Sequence, residues 1–125
     1  MKIIIVGGGI GGLCAALALK HHGIEAVVLE QAPQLAEVGA GVQLASNGVF
    51  VMRKLGLEAE LAAISTQPMS WEYRSVETGE ALVSWPLGAP AAQRYGAPLY
   101  NVHRADLVQL MVNHLAPEAV KFGAR

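Results

Sequence analysis

The first thirty residues read strand, glycine turn, helix, strand, acid, and that order leaves few folds open. Lys2-Ile3-Ile4-Ile5-Val6 becomes an unbroken β-branched run after its lysine, the pattern expected of a parallel strand buried on both faces. It runs directly into Gly7-Gly8-Gly9-Ile10-Gly11-Gly12, which satisfies G-x-G-x-x-G at Gly7, Gly9 and Gly12. A helix is expected from there to about His22, then a strand from Glu25 to Leu29, then Glu30. Such a βαβ unit suits a dinucleotide. Gly7 permits the tight turn, Gly9 lets backbone approach a pyrophosphate, and Gly12 lets helix and strand pack closely. The helix N-terminus offers N–H groups and a positive dipole end to phosphates. Glu30, about 20 residues beyond the glycines, is placed to accept hydrogen bonds from a ribose. A carboxylate there repels a 2′-phosphate, which favours FAD or NAD over NADP in this site.

The 125 residues are 53% hydrophobic and 15% charged, with a formal net charge of −1, so no basic excess points to nucleic acid or to an anionic membrane surface. The single cysteine, Cys14, excludes an internal disulfide and reads as a small core residue of the first helix. Ile3 to Leu19 is too short and too glycine-rich for a convincing membrane span, and a cytoplasmic location is expected. No metal-ligand cluster and no Ser-His-Asp or Cys-His arrangement stands out, and no residue is assigned as catalytic.

Beyond Glu30 the pattern changes. Gln31-Ala32-Pro33 marks a loop, Gly39-Ala40-Gly41 is a second glycine cluster, and Val42-Gln43-Leu44 reads as a short strand. Ser46 or Asn47 can cap a helix to about Leu55 that Gly56 stops, and Leu57 to Ile64 reads as another helix with Leu57, Leu61 and Ile64 on one face. Met69 to Val76 alternates, Thr78-Gly79 is a turn, and Ala81 to Trp85 can return as the partner strand. The hairpin's alternation implies one wet face and membership of an antiparallel sheet, with Met69, Trp71 and Tyr73 at ordinary core spacing. Pro86 to Pro98 reads as a loop, Leu99 to His103 as a strand with His103 packing at its end, and Arg104 to Leu115 as a helix. Val120 to Arg125 looks like a strand just beginning, so residues 1–125 are expected to be the N-terminal portion of a larger protein.

Three segments in order, Gly7 to Glu30, Gly39 to Leu44 with Asn47, and Tyr95-Gly96-Ala97-Pro98 ahead of Val102-His103-Arg104-Ala105-Asp106-Leu107, resemble the class A flavin-dependent aromatic monooxygenases, nearest the salicylate and hydroxybenzoate hydroxylase branch. The resemblance implies an α/β fold: the first part of a Rossmann-like FAD-binding domain, its βαβ unit interrupted later by a β-hairpin. It assigns FAD binding to Gly7, Gly9 and Gly12 at the pyrophosphate, Glu30 at the adenosine ribose, Gly41, Val42 and Gln43 toward the flavin end and Arg104 beside the cofactor, with Ile10, Gly11, Leu13 and Gln31 as further contacts. It places Asp106 at the opening of the following helix, and residues 68–100 as a hairpin and loop reaching toward the substrate region. Many family members carry an arginine near the position of Ala36, where this chain departs from them.

The implied chemistry is hydroxylation of a small phenol or aromatic acid through a flavin C4a-hydroperoxide, with NADH or NADPH as transient reductant and O2 as co-substrate. A homodimer is compatible with the resemblance, and no nucleic-acid or membrane partner is expected. Two other readings stay open on the residues alone. One is an NAD-binding Rossmann dehydrogenase, which would keep alternating strands and helices after Glu30. The other is an inactive nucleotide-binding fragment.

Overall fold

The computed structural model describes residues 3–34 and 40–124. Lys2, Ala36 and Gly39, each weighed above, lie outside the described residues. In order, the elements are β1 (Ile3–Val6), α1 (Ile10–His21), β2 (Ala26–Leu29), β3 (Gly41–Leu44), α2 (Ser46–Lys54), α3 (Glu58–Ala63), β4 (Ser65–Thr66), β5 (Ser70–Arg74), β6 (Ala81–Pro86), α4 (Gly88–Tyr95), β7 (Tyr100–His103), α5 (Arg104–Asn113), a short 3-10 turn (Pro117–Ala119) and β8 (Val120–Lys121). They form two compact units, Met1–Gly41 with His103–Arg125, and Val42–Val102.

The first unit is the expected βαβ with one addition. β1 and β2 pair in parallel, Ile3 opposite Ala26 through Val6 opposite Leu29. β8 then joins β2 in parallel on its other side, Val28 opposite Val120, to give the order β1-β2-β8. A doubly wound sheet places its third strand beside its second in this way. Here that strand arrives only after the whole second unit, and α5 supplies the crossover helix and packs on α1. Leu13, Leu17, Val28, Leu107 and Met111 form the buried core. α1 ends as the sequence suggests. Gly23, at φ +70°, donates its N–H to the Lys20 carbonyl while Ile24 donates to Leu19, the Schellman closure that a left-handed glycine permits. Lys20 Nζ donates to the His114 carbonyl at 2.6 Å and so ties the end of α1 to the end of α5.

One expectation for β1 is corrected. Ile5 lies against Gly12 of α1, but Ile4 and Val6, which alternate to the opposite face, are 65% and 85% exposed. Helix covers one face of this strand only, so its continuous apolar run does not mean burial on both sides among the described residues.

The second unit has its own core of Val49, Met52, Leu57, Leu61 and Val102. Its three-stranded sheet has the order β3-β7-β4, with β4 antiparallel to β7. Gly56, at φ +76°, terminates α2 as expected. The capping expectation is not met: Ala45 takes the cap position, Ser46 Oγ donates to the Ala97 carbonyl at 2.7 Å, and Asn47 Oδ1 accepts only the neighbouring Gly48 N–H. Ile64, expected on the buried face with Leu57 and Leu61, is 38% exposed because the helix ends one residue before it.

The stretch from Pro86 to Pro98 contains helix α4 rather than a loop. Pro90 falls in its first turn, where an N–H has no helical partner to lose, so a proline is compatible with this helix. The hairpin β5–β6 is antiparallel as expected, with Trp71 opposite Trp85 and Tyr73 opposite Val83. It stands as a two-stranded sheet, and every residue of both strands is exposed. Trp71, Tyr73 and Trp85 cluster with ring centroids 5.9 to 6.1 Å apart, so their core-like spacing forms a surface aromatic group among the described residues.

Leu107 fills the fully buried centre of the first unit, between α5 and α1. Leu107→Ala is expected to destabilise the fold by about 2–5 kcal/mol through the core cavity it leaves. Denaturant unfolding of the whole protein checks this, and a loss below about 1 kcal/mol would show that the site collapses to fill the space.

Candidate functional site

The site is built where β1 ends and α1 begins. Gly7 takes φ +104°, a conformation that side chains resist, and turns the chain off the sheet. Gly9 is the N-cap of α1 and, lacking a side chain, cannot close off the helix start. A Cβ added at Gly9 or Gly11 would meet nothing within 4 Å, so both backbones face open space. Gly12 is the reverse case. A Cβ there would lie 2.0 Å from the Gly7 carbonyl oxygen and 3.3 Å from Ile5 Cγ2, so only glycine lets the helix start this close to the strand.

The first-turn N–H groups of α1 lie outside the helix's own hydrogen-bond ladder, no side chain caps them, and no acidic residue stands in that turn. Backbone donors and a positive dipole end therefore coincide at Gly9, Ile10 and Gly11, with side-chain-free approach at Gly9 and Gly11. An anionic group such as a phosphate suits this combination.

Glu30 follows β2 directly. Its Oε2 accepts the Gly8 N–H at 2.6 Å and its Oε1 accepts the Ala32 N–H at 2.8 Å. Those two bonds, Ala32 first and Gly8 second, hold its carboxyl below the usual carboxylate value. The carboxylate is thus charged and oriented beside the turn. Each oxygen retains lone-pair capacity for a hydroxyl donor.

Gln31 is exposed next to Glu30. Leu13 has its side chain fully buried in the core, and its N–H donates to the Gly9 carbonyl at 3.0 Å. The remaining cofactor candidates sit on other elements. Gly41 opens β3, Val42 and Gln43 continue it with Gln43 exposed, and Arg104 is the half-buried first residue of α5. Asp106 stands exposed in the first turn of α5, where its charge suits the helix dipole. His103, expected to pack at the strand end, is exposed at the cap position of α5. Cys14 is half-buried, and burial pushes its thiol up, away from reactive thiolate chemistry. Among the described residues no three His, Cys, Asp or Glu side chains come together as a metal site, and no helix is long and apolar enough to cross a membrane.

The residue that sequence reasoning passed over is Gly8. In the motif it is only a spacer, yet it is buried and presents its N–H to Glu30. The available signal was a third consecutive glycine where the motif asks for none.

With this geometry in view, comparison with known proteins is direct. Residues 1–123 match the family described as FAD binding domain, and the chain belongs to that family. It is 42% identical over 123 residues to 3-amino-4-hydroxybenzoate 2-monooxygenase of Streptomyces cremeus, covering 98% of this chain and 31% of that protein. It is 36% identical over 122 residues to 6-hydroxynicotinate 3-monooxygenase of Pseudomonas fluorescens, covering 98% of this chain and 32% of that protein. Among solved structures, Klebsiella pneumoniae HpxO complexed with FAD and uric acid superposes with a TM-score of 0.86 at 35% identity, covering 100% of this chain and 31% of that one. The chain therefore spans about a third of the length of the relatives it matches.

Two outcomes follow from the site. Gly12→Ala places a methyl against the Gly7 carbonyl and is expected to destabilise the whole protein by about 1–3 kcal/mol. Unfolding midpoints check it, and an unchanged midpoint would mean the helix can shift without cost. For Glu30, the folded pKa lies below the unfolded one, so the charged carboxylate stabilises the fold above about pH 4.3, and that contribution is lost as pH falls through the lowered folded value. A stability gap between wild type and Glu30→Gln is therefore expected at neutral pH and should close on acidification. Urea midpoints at stepped pH read it; a gap that persists in acid would assign the loss to shape rather than charge.

Proposed function

We propose that this chain is the N-terminal, FAD-holding part of a flavoprotein monooxygenase that uses NADH or NADPH and O2 to hydroxylate a small phenol or aromatic acid. The observation that carries the reading is the open glycine turn with Glu30 beside it, in a chain 42% identical over nearly its whole length to an aromatic monooxygenase.

In this reading Gly7 shapes the turn, and the backbone at Gly9, Ile10 and Gly11 receives the pyrophosphate. Gly12 and Leu13 hold the helix in place from behind. Glu30 accepts the ribose hydroxyls, with Gln31 at its edge. Gly41, Val42 and Gln43 run beside the flavin end, and Arg104 sets a guanidinium toward the anionic cofactor. Residues 68–100, now seen as the hairpin with α4, border the substrate region.

FAD, when bound, supplies the redox chemistry: electrons from the nicotinamide, one oxygen atom to the ring, the other released as water. The chain's own share is to anchor and orient that cofactor, and no acid or base for the ring is assigned to it.

A nicotinamide dehydrogenase is disfavoured by topology. After Glu30 the chain enters the β3-β7-β4 sheet, and the third parallel strand is β8, at Val120–Lys121. The test is spectroscopic and kinetic. The whole protein is expected to purify with a flavin spectrum and to oxidise NADH or NADPH faster when a hydroxylated aromatic acid is added. A colourless protein that binds NAD+ alone would overturn the reading.

A further inference from the structure

We infer that Glu30 is a positioning residue as well as a ribose ligand: paired with Gly8, it sets the phosphate turn in its binding conformation before any dinucleotide arrives. The inference rests on the dinucleotide reading of the site and adds a second duty to one residue of it.

The two partners fit each other closely. Gly8 is buried, and its N–H, turned away from the sheet ladder, reaches Glu30 Oε2 at 2.6 Å across 22 residues of sequence. A Cβ on Gly8 would stand 3.0 Å from both Glu30 Cβ and Oε2, so the glutamate stem lies along the glycine backbone. The second oxygen is held too, by the Ala32 N–H at 2.8 Å, which leaves the carboxylate plane little freedom to rotate.

The glutamate's own backbone is fixed in turn. Its N–H donates to the Lys121 carbonyl at 2.9 Å and its carbonyl accepts from the Ala124 N–H at 3.0 Å. Glu30 is therefore anchored to β8 on one side and grips the glycine turn on the other. Both groups it grips are donors, and only a carboxylate, with two acceptor oxygens, satisfies both. Glutamine would turn an N–H toward one of them. Aspartate is one methylene short of spanning the gap.

A ligand that lacks the ribose hydroxyls separates the two duties. The whole protein is stripped of cofactor, and ADP and 2′,3′-dideoxy-ADP are titrated into wild type, Glu30→Gln and Gly8→Ala. Amide hydrogen exchange is followed in the same ligand-free samples. The expected result is that both variants lose about tenfold in affinity for the dideoxy ligand, with the backbone amides at positions 8 and 32 exchanging about tenfold faster while β1 and β2 stay protected.

Gly8→Ala keeps the carboxylate, so a loss in that variant traces to the displaced stem and not to missing charge. If Glu30→Gln weakens ADP but leaves the dideoxy ligand and the exchange unchanged, Glu30 serves the ribose alone and the inference is overturned. If wild type binds neither nucleotide, the dinucleotide reading fails, while unchanged exchange in both variants would separately overturn the positioning role.

Discussion

The first unit depends on one close approach, the backbone of Gly12 against the carbonyl of Gly7. No side chain can stand between them, so α1 packs against the end of β1 directly after the three-residue turn Gly7–Gly9. The helix N-terminus is then fixed at the C-terminal edge of a parallel sheet, where such folds place their ligands. The other features follow from that position. Gly9 and Gly11 face open space because the helix axis is already committed, and Gly8 is turned inward where Glu30 can reach it. A larger residue at position 12 would disturb all of these together.

The route of the chain reinforces the same corner. It leaves the parallel sheet after β2, builds a second unit with its own core, and returns through α5 to lay β8 beside β2. The returning segment pairs with the residues that follow β2 as well as with β2 itself. Gly123 donates to the Ala32 carbonyl and Ala124 to the Glu30 carbonyl. A strand only two residues long gains its value from this. It holds the backbone at Glu30, and the side chain of Glu30 holds the turn.

Legibility in the sequence divides along physical lines. The βαβ unit could be read because each step has a local cause: β-branched residues for the strands, glycines at fixed spacing for the turn, and an acid after the second strand. Gly56 and the alternating hairpin were readable for the same reason. The misreadings all required tertiary knowledge. Exposure of Ile4 and Val6 depends on what covers a sheet face, which an apolar run does not record. Helix α4 was hidden by Pro90, whose effect depends on where a helix begins. Ser46 looked like a cap, yet its hydroxyl serves the Ala97 carbonyl, a partner 51 residues away. Of the candidate site, the glycines and Glu30 were visible as a motif, whereas the Gly8–Glu30 pair was not, because motif spacing says nothing about which amide an acid will hold.

That pair also explains why the acid at this position has to be charged. Among the described residues, the groups that hydrogen-bond the Glu30 carboxylate are backbone N–H donors, and on the proposed reading ribose hydroxyls would bring further donors. An acceptor-only group suits such surroundings. The bonds from Ala32 and Gly8 lower its pKa, so backbone dipoles do the work that a neighbouring cation does in an ion pair. On the proposed reading the same charge would disfavour a 2′-phosphate, so the carboxylate that holds the turn would also bias the choice of nucleotide. Selectivity and preorganisation would then reside in one group of atoms, the two carboxylate oxygens of Glu30 and the two backbone N–H groups they hold.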